Sequence, residues 1–193
     1  MKQDTSRNPA REPDRTEDRE VFLKLFQVKT ATKADLSQML HLERRCHCDP
    51  WTRENYLYEL SREVTFFRGL YRRATLVGLT VSWIIPPECH LLNVMILPDL
   101  WGHGLGKTLM EDLVALCRSN SASQVLLEVR SDNFRAKKLY RGLGFKRDGL
   151  RLGYYGDGTD AVLMSLHLPV NPGAPLERTK RRPIGDSNSP RTV

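Results

Sequence analysis

Apolar residues are spread unevenly along this chain of 193 residues, and their spacing changes from segment to segment. Among residues 1–20 the apolar side chains, prolines aside, are Met1 and Ala10, and residues 171–193 are rich in Pro, Arg, Ser and Gly. Neither end can bury enough surface to offset the entropy of ordering it. Residues 1–24 therefore read as a disordered segment, 25–170 as the folded unit and 171–193 as a disordered basic tail. Within the folded unit, Thr32 and Asp35 have capping-box spacing and open a helix with Leu36, Met39 and Leu40 on its apolar stripe. "CHCDPW" (46–51) breaks that helix, and Thr52 caps a second, short one that runs through Leu60. Three β-type runs follow, "VTFFRGLYRR", "ATLVGLTVSWII" and "CHLLNVMIL", the last two joined at Pro86-Pro87 by a hairpin-like connection. Leu105, Leu109, Leu113 and Leu116 recur at helical spacing. "QVLLEV" (124–129) reads as a buried strand, and Asp132 or Ser131 as the cap of a helix carrying Ala136, Leu139, Tyr140 and Leu143. "GLGF" ends that helix, and two strands near 145–155 and 161–168 close the chain. The order α, α, β, β, β, α, β, α, β, β predicts a single α/β domain with helices on both faces of a mixed sheet.

Composition narrows the class. A 40% apolar content supplies a core, and the net charge is +7, with −1 in the first 20 residues and +3 in the last 23. A basic folded unit suits an anionic ligand or nucleic acid, and a solvated basic surface accounts for the charge equally well. The run Lys180-Arg181-Arg182 is a candidate for ribosome or RNA contact, or simply part of a soluble tail. No apolar segment follows the charged start and no run of eighteen apolar residues exists, so no membrane association is expected. Four cysteines outline no disulfide framework, and a cytoplasmic protein is the expectation.

The stretch "LWGHGLGKTLM" (100–110) ends like a nucleotide-binding P-loop. That motif needs a glycine five residues before Gly106, where Trp101 stands, and Gly102 is one residue late. Three strands precede it, and no strand ends in a clear magnesium-holding Asp. The triphosphatase reading fails, but its physics survives. Gly102, Gly104 and Gly106 let the backbone approach a ligand, and the unpaired N–H groups of a helix start favour an anion. Such a turn is a candidate pyrophosphate cradle.

Trp101-Gly102-His103-Gly104-Leu105-Gly106, between a strand and a long helix, is followed by "LLEVRSDNFRAKKLYRGLGF" and "YYGDGTDAVLMSL". In this order the motifs resemble the GCN5-related N-acetyltransferase (GNAT) family. "NVMILPDLWGHGLGKTLM" and "HLERRCHCDPW" are similar to the subgroup that acetylates the N-terminal alanine of a small-subunit ribosomal protein. The similarity spans about residues 26–168. It implies a mixed, mostly antiparallel sheet flanked by helices, acetyl-CoA as cosubstrate, no metal, and a protein N-terminus as acceptor. Trp101 and Gly102 depart from the family's loop, which carries Gln or Arg at the first position and an Arg beside it. The backbone of residues 102–107 (Gly102, His103, Gly104, Leu105, Gly106, Lys107), with the Lys107 side chain, would then hold the phosphates.

Acyl transfer to an amine needs a held donor, a neutral amine, donors for the oxyanion and a proton for the leaving thiolate. Glu128 lies between Leu127 and Val129 in an apolar strand, where partial desolvation strengthens a carboxylate as a base, and the resemblance gives it that role. The bland alternative is a strand-edge Glu paired with Arg130 or a Lys. By resemblance, Tyr140 is the acid for the thiolate and Asn133 contacts the cofactor, although a packed aromatic and a helix cap are the plain readings. Val94, Met95 and Ile96 would pair their backbone with the pantetheine arm, and a main-chain N–H there would bind the acetyl oxygen. Asp49 and Trp51 of the "CHCDPW" loop, with Tyr154 and Tyr155, resemble the walls of the peptide groove. Asp49 and Glu54 could meet a basic substrate or merely charge a helix start. Cys46-His47-Cys48 and Cys89-His90 lack structural-zinc spacing, and His103 reads as an exposed loop residue. Two other functions stay open: the same chemistry on a lysine or small amine, and a non-catalytic acetyl-CoA- or ribosome-binding module.

Overall fold

The order of elements expected from the sequence holds from Thr32 onward, but two elements precede it. A computed structural model describes residues 15–169; residues 1–14 and 170–193, with the Lys180-Arg181-Arg182 run, lie outside the described residues. The chain runs α1 (Arg15–Leu23), β1 (Phe26–Thr30), α2 (Leu36–Cys46), α3 (Arg53–Leu60), β2 (Thr65–Arg72), β3 (Thr75–Ile85) and β4 (Glu88–Ile96). It continues through α4 (Leu105–Ser119), β5 (Gln124–Arg130), α5 (Phe134–Gly142), β6 (Lys146–Arg151) and β7 (Ala161–His167).

Helix α1, the first described element, lies inside the segment 1–24 that the sequence reads as disordered. The sequence of α1, RTEDREVFL, is polar until its last three residues. Its composition is that of a disordered segment, and docking of Phe22 and Leu23 onto Leu70, Val77, Ile96, Leu105 and Leu109 gives it a reason to fold. Strand β1 is five residues long, too short to stand out as a pattern, and pairs antiparallel with β2 from Phe26↔Arg72 to Thr30↔Arg68.

Both capping boxes form. Thr32 Oγ1 accepts from the Ala34 N–H at 3.3 Å and Asp35 Oδ2 accepts from the Thr32 N–H at 2.9 Å, starting a 3-10 turn that leads into α2. Thr52 and Asn55 exchange the same pair of bonds at the start of α3. The cap of α5 is Asn133, whose Oδ1 accepts from the Ala136 N–H at 3.0 Å, rather than Ser131 or Asp132. Asp132 is drawn instead to Arg130.

The seven strands form one sheet in the order β1-β2-β3-β4-β5-β7-β6. Every neighbouring pair is antiparallel except β4 and β5, which the chain joins through α4. Helices α4 and α5 pack on one face, where Met110, Leu113 and Tyr140 meet Leu91, Val125 and Leu127. Helices α2 and α3 cover the other face, where Met39, Leu42 and Tyr56 meet Phe67, Leu79 and Val81.

The parallel pair is also where the sheet opens. Pairing of β4 with β5 runs from Glu88↔Gln124 to Leu91↔Leu127 and stops. On the other side of β4 the register jumps from Ser82↔Leu91 to Val81↔Asn93, leaving Leu92 as a bulge. A bulge bends its strand and raises the local twist. Beyond Leu91, therefore, β4 leans away from β5, and the edge of residues 92–96 that faces β5 carries no partner strand.

Candidate active site

The split between β4 and β5 holds a cleft of about 60 Å³ whose walls include His47, Asn93, Val94, Glu128, Asn133 and Tyr140. Four of the residues singled out in the sequence, Val94, Glu128, Asn133 and Tyr140, meet here from three elements. A larger, open groove of about 570 Å³ lies between β1, β2 and α3 and shares no residue with this cleft.

Strand alternation places Glu128. Val125, Leu127 and Val129 point into the α4/α5 core, so Glu128 points with Leu126 and Arg130 to the opposite face. Its side chain keeps 19% exposure, and Oε1 lies 2.6 Å from Nη1 of Arg151 on β6. Its ion-pair partner is Arg151, not the Arg130 or lysine of the alternative reading. Arg130 is engaged elsewhere, with Asp132 and with Asp157 at 2.7 Å. The second Glu128 oxygen, Oε2, is buried without a hydrogen-bond partner. Buried polar atoms are nearly always paired, so this bare acceptor is the outstanding polar feature of the cleft.

Tyr140 is buried on the inner side of α5, its ring 5.6 Å from that of Phe145. Burial, and then Tyr155 nearby, push its phenol well above the ordinary tyrosine value, so the proton stays on the oxygen. Tyr154 and Tyr155 stack edge to face at 5.2 Å. Burial and the adjacent Glu128 carboxylate raise the Tyr154 phenol, and the Tyr155 hydroxyl is buried without a partner.

At the glycine turn, Gly102 and Gly104 have φ of +83° and +87°, which side-chain-bearing residues rarely adopt. Gly104 is the N-cap of α4, so the first amides of that helix, from Leu105 and Gly106 onward, face outward without a side-chain cap. Trp101 folds back, its indole N–H donating to the Ile96 carbonyl at 2.7 Å. Lys107 lies 3.6 Å from Glu111 in an exposed pair, which an incoming anion can break at little cost. His103 is exposed and stacks on Phe22 of α1 at 4.8 Å. The Met95 and Ile96 side chains are buried, so these two residues present main chain rather than side chain to the open edge of β4.

The "CHCDPW" loop is built differently from the expectation. Asp49 is exposed, but Trp51 is only 5% exposed and packs at 5.4 Å against Tyr56, supporting the loop from within the core instead of walling a groove. Glu54 sits in the first turn of α3, held below the usual carboxylate range by its own backbone N–H and by Thr52.

The residue that sequence reasoning missed is Glu43. It is fully buried and accepts from the Trp51 N–H at 3.1 Å, the Tyr56 hydroxyl at 2.6 Å and Asn93 Nδ2 at 3.1 Å. Asn93 Oδ1 in turn lies 3.1 Å from Nε2 of His47, which lines the cleft. A signal existed: Glu43 continues the stripe of Leu36, Met39 and Leu40, where an apolar residue belongs.

Two of the cysteines, Cys46 and Cys89, are held as thiols. Burial and Glu43 push the Cys46 thiol up to about 12, and it donates to the Ile96 carbonyl at 3.5 Å. The buried Cys89 thiol is raised by its hydrogen bond with Cys117 and by burial. Among the described residues no three His, Cys, Asp or Glu side chains cluster to hold a metal, and no helix is long and apolar enough to cross a membrane.

The profile of the Acetyltransferase (GNAT) family matches residues 36–145. The chain belongs to this family. It is a GNAT acetyltransferase, and GNAT enzymes draw their acyl group from acetyl-CoA. The N-alpha-acetyltransferase RimI of Mycobacterium tuberculosis is 35% identical over 146 residues, covering 71% of this chain and 89% of that protein. The ribosomal protein bS18-alanine N-acetyltransferase of Escherichia coli K12 is 29% identical over 146 residues, 74% of this chain and 98% of that protein. The crystal structure of the ribosomal-protein-S18-alanine N-acetyltransferase from Escherichia coli superposes with a TM-score of 0.71 at 26% identity, covering 78% of this chain and 99% of the other. The expected GNAT architecture, a mostly antiparallel sheet flanked by helices, is the one observed.

Proposed function

We propose that this GNAT enzyme transfers acetyl from acetyl-CoA to the N-terminal alanine amine of a small-subunit ribosomal protein, and that Glu128 and Tyr140 carry the proton traffic. The bare Glu128 Oε2, in one cleft with the protonated Tyr140, carries this reading. The acetyl arm would lie along the unpaired edge of β4 at Val94–Ile96, with Asn133 beside it and the phosphates at the amides of residues 102–107. The relatives' names supply the acceptor class.

Glu128 Oε2 takes a proton from the ammonium, through a water or directly. An α-amine titrates near 7.7–8.0, so this costs little. The free amine attacks the thioester carbonyl, and a β4 main-chain N–H receives the oxyanion. Collapse breaks the C–S bond: Tyr140 gives its proton to the departing thiolate, the second proton lost from the amine nitrogen as the amide forms restores the phenol through water, and Glu128 returns the first to solvent. No acyl-enzyme is needed.

Coenzyme A release with a peptide panel tests the reading. Turnover is expected with a peptide beginning Ala-Arg and absent with an N-terminally blocked peptide containing lysine. Glu128→Gln should lower kcat by about 10²–10⁴, the usual range for a general base, with acetyl-CoA binding retained. Turnover of the blocked lysine peptide alone would move the acceptor class, and full activity of Glu128→Gln would remove Glu128 as base.

A further inference from the structure

The phosphate cradle is short of cations of its own. Between Leu100 and Thr108 the one fixed positive charge is Lys107, and Glu111 stands beside it. Two guanidinium groups from outside the turn lie against it. Arg19 of α1 rests on Gly104: a Cβ built there would overlap its guanidinium, with Cζ only 3.2 Å away. Arg135 of α5 lies over the Trp101 ring, its Cζ 3.6 Å from the ring centre.

Neither position is accidental to the packing. Helix α1 is anchored beside the turn by Phe22, which stacks on His103 and joins the cluster containing Leu105. On α5, Arg135 and Leu139 are four residues apart and share a face. A Cβ on Gly106 would come within 3.2 Å of Leu139 Cδ2, so that face is pressed against the turn. Trp101 is itself fixed by its bond to the Ile96 carbonyl, which makes its ring a rigid platform. Stacking on an indole leaves the N–H edge of a guanidinium free, and that edge matches a phosphate in a two-bond fork. Arg19 and Arg135 are both exposed, and neither is tied to a carboxylate among the described residues.

We propose that Arg19 and Arg135, brought to the glycine turn by α1 and by the Trp101 platform, form a two-sided guanidinium clamp on the phosphates of acetyl-CoA. The inference rests on the reading of this turn as the donor's phosphate site. It gives Trp101 a function: the indole contributes no charge but presents one borrowed from α5.

The test measures acetyl-CoA binding by calorimetry and steady-state kinetics for the wild type, Arg19→Ala, Arg135→Ala and Trp101→Ala. S-acetylpantetheine, which carries no phosphate, is the control donor. Each arginine variant should raise Kd and KM for acetyl-CoA on the order of tenfold, the worth of a charge-assisted bond. The peptide KM and the rate with S-acetylpantetheine should stay within about twofold, a margin smaller than one such bond. Trp101→Ala should weaken acetyl-CoA as much as Arg135→Ala, and combining the two should add little. Unchanged acetyl-CoA affinity in both arginine variants would overturn the clamp alone. Equal losses with S-acetylpantetheine would also overturn it, by showing a structural role. A wild-type protein that binds no acetyl-CoA would overturn the phosphate-site reading itself and the clamp with it.

Discussion

At the residue scale, the proposed mechanism asks two groups to hold opposite protonation states: Glu128 would accept a proton and Tyr140 would give one. Arg151 grips one oxygen of Glu128 and leaves the other bare, so the carboxylate is oriented without being saturated. Arg151 is half exposed, which moderates the grip by solvent screening. Tyr140 is treated in the opposite way, buried until ionisation becomes costly. A phenol raised above its ordinary value of about 10 is protonated at every pH below that value. The rate should therefore climb as the acceptor amine loses its proton, between about pH 7 and 8.5, and then hold level to about pH 9.5. A kcat profile checks this. A decline that begins near pH 9 in the wild type and is missing in Tyr140→Phe would mean that Tyr140 titrates normally and that burial does not guard its proton.

At the element scale, two devices shape the cleft, and they differ in how far the sequence betrays them. The turn that starts α4 is plain in the sequence, because alternate glycines before an apolar stripe have few other uses. The bulge at Leu92 is invisible there, since "HLLNVMI" reads as an unbroken strand and only pairing with β3 exposes the extra residue. The same holds for the short strand β1 and the polar helix α1, which depend on partners distant in sequence. Likewise Glu128 could be placed in a strand, but its pairing with Arg151 needed the β5-β7-β6 order, which local patterns do not encode. Glu43 falls between these cases. An acid on an apolar stripe was a warning, and its role is to lash α2, α3, the Trp51 loop and β4 together beneath His47. All three of its partners donate, so a carboxylate is the matching acceptor. Glu43→Gln would aim an amide N–H at one of those donors, at a cost of about 2–3 kcal/mol. For a chain of this size that lowers Tm by roughly 5–10 °C in a thermal melt. A melt within about 1 °C of wild type, well under 1 kcal/mol, would mean that the network is not what fixes the loop.

At the scale of the whole molecule, the sheet is opened near its middle and closed over at the end of the same gap. The bulged β4 creates the gap, α5 lines one side with Asn133 and Tyr140, and α1 leans on the turn at its far end. Phe22 and Leu23 of α1 cover Leu105 and Leu109, the residues that seat the first turns of α4. Removing residues 1–24 uncovers that seam. Losing two half-buried large side chains costs about 2–3 kcal/mol, so Tm should fall by roughly 5–10 °C. Loss of Arg19 in the same truncation should also weaken the donor. The rise in Tm brought by a fixed concentration of acetyl-CoA depends on the logarithm of its affinity. That rise should therefore shrink in the truncated chain, whereas Phe22→Ala, which keeps the arginine, should lose stability while keeping more of the acetyl-CoA effect. A truncated chain that melts like the full one, with the same response to acetyl-CoA, would show that α1 rests on the domain without holding either the fold or the donor.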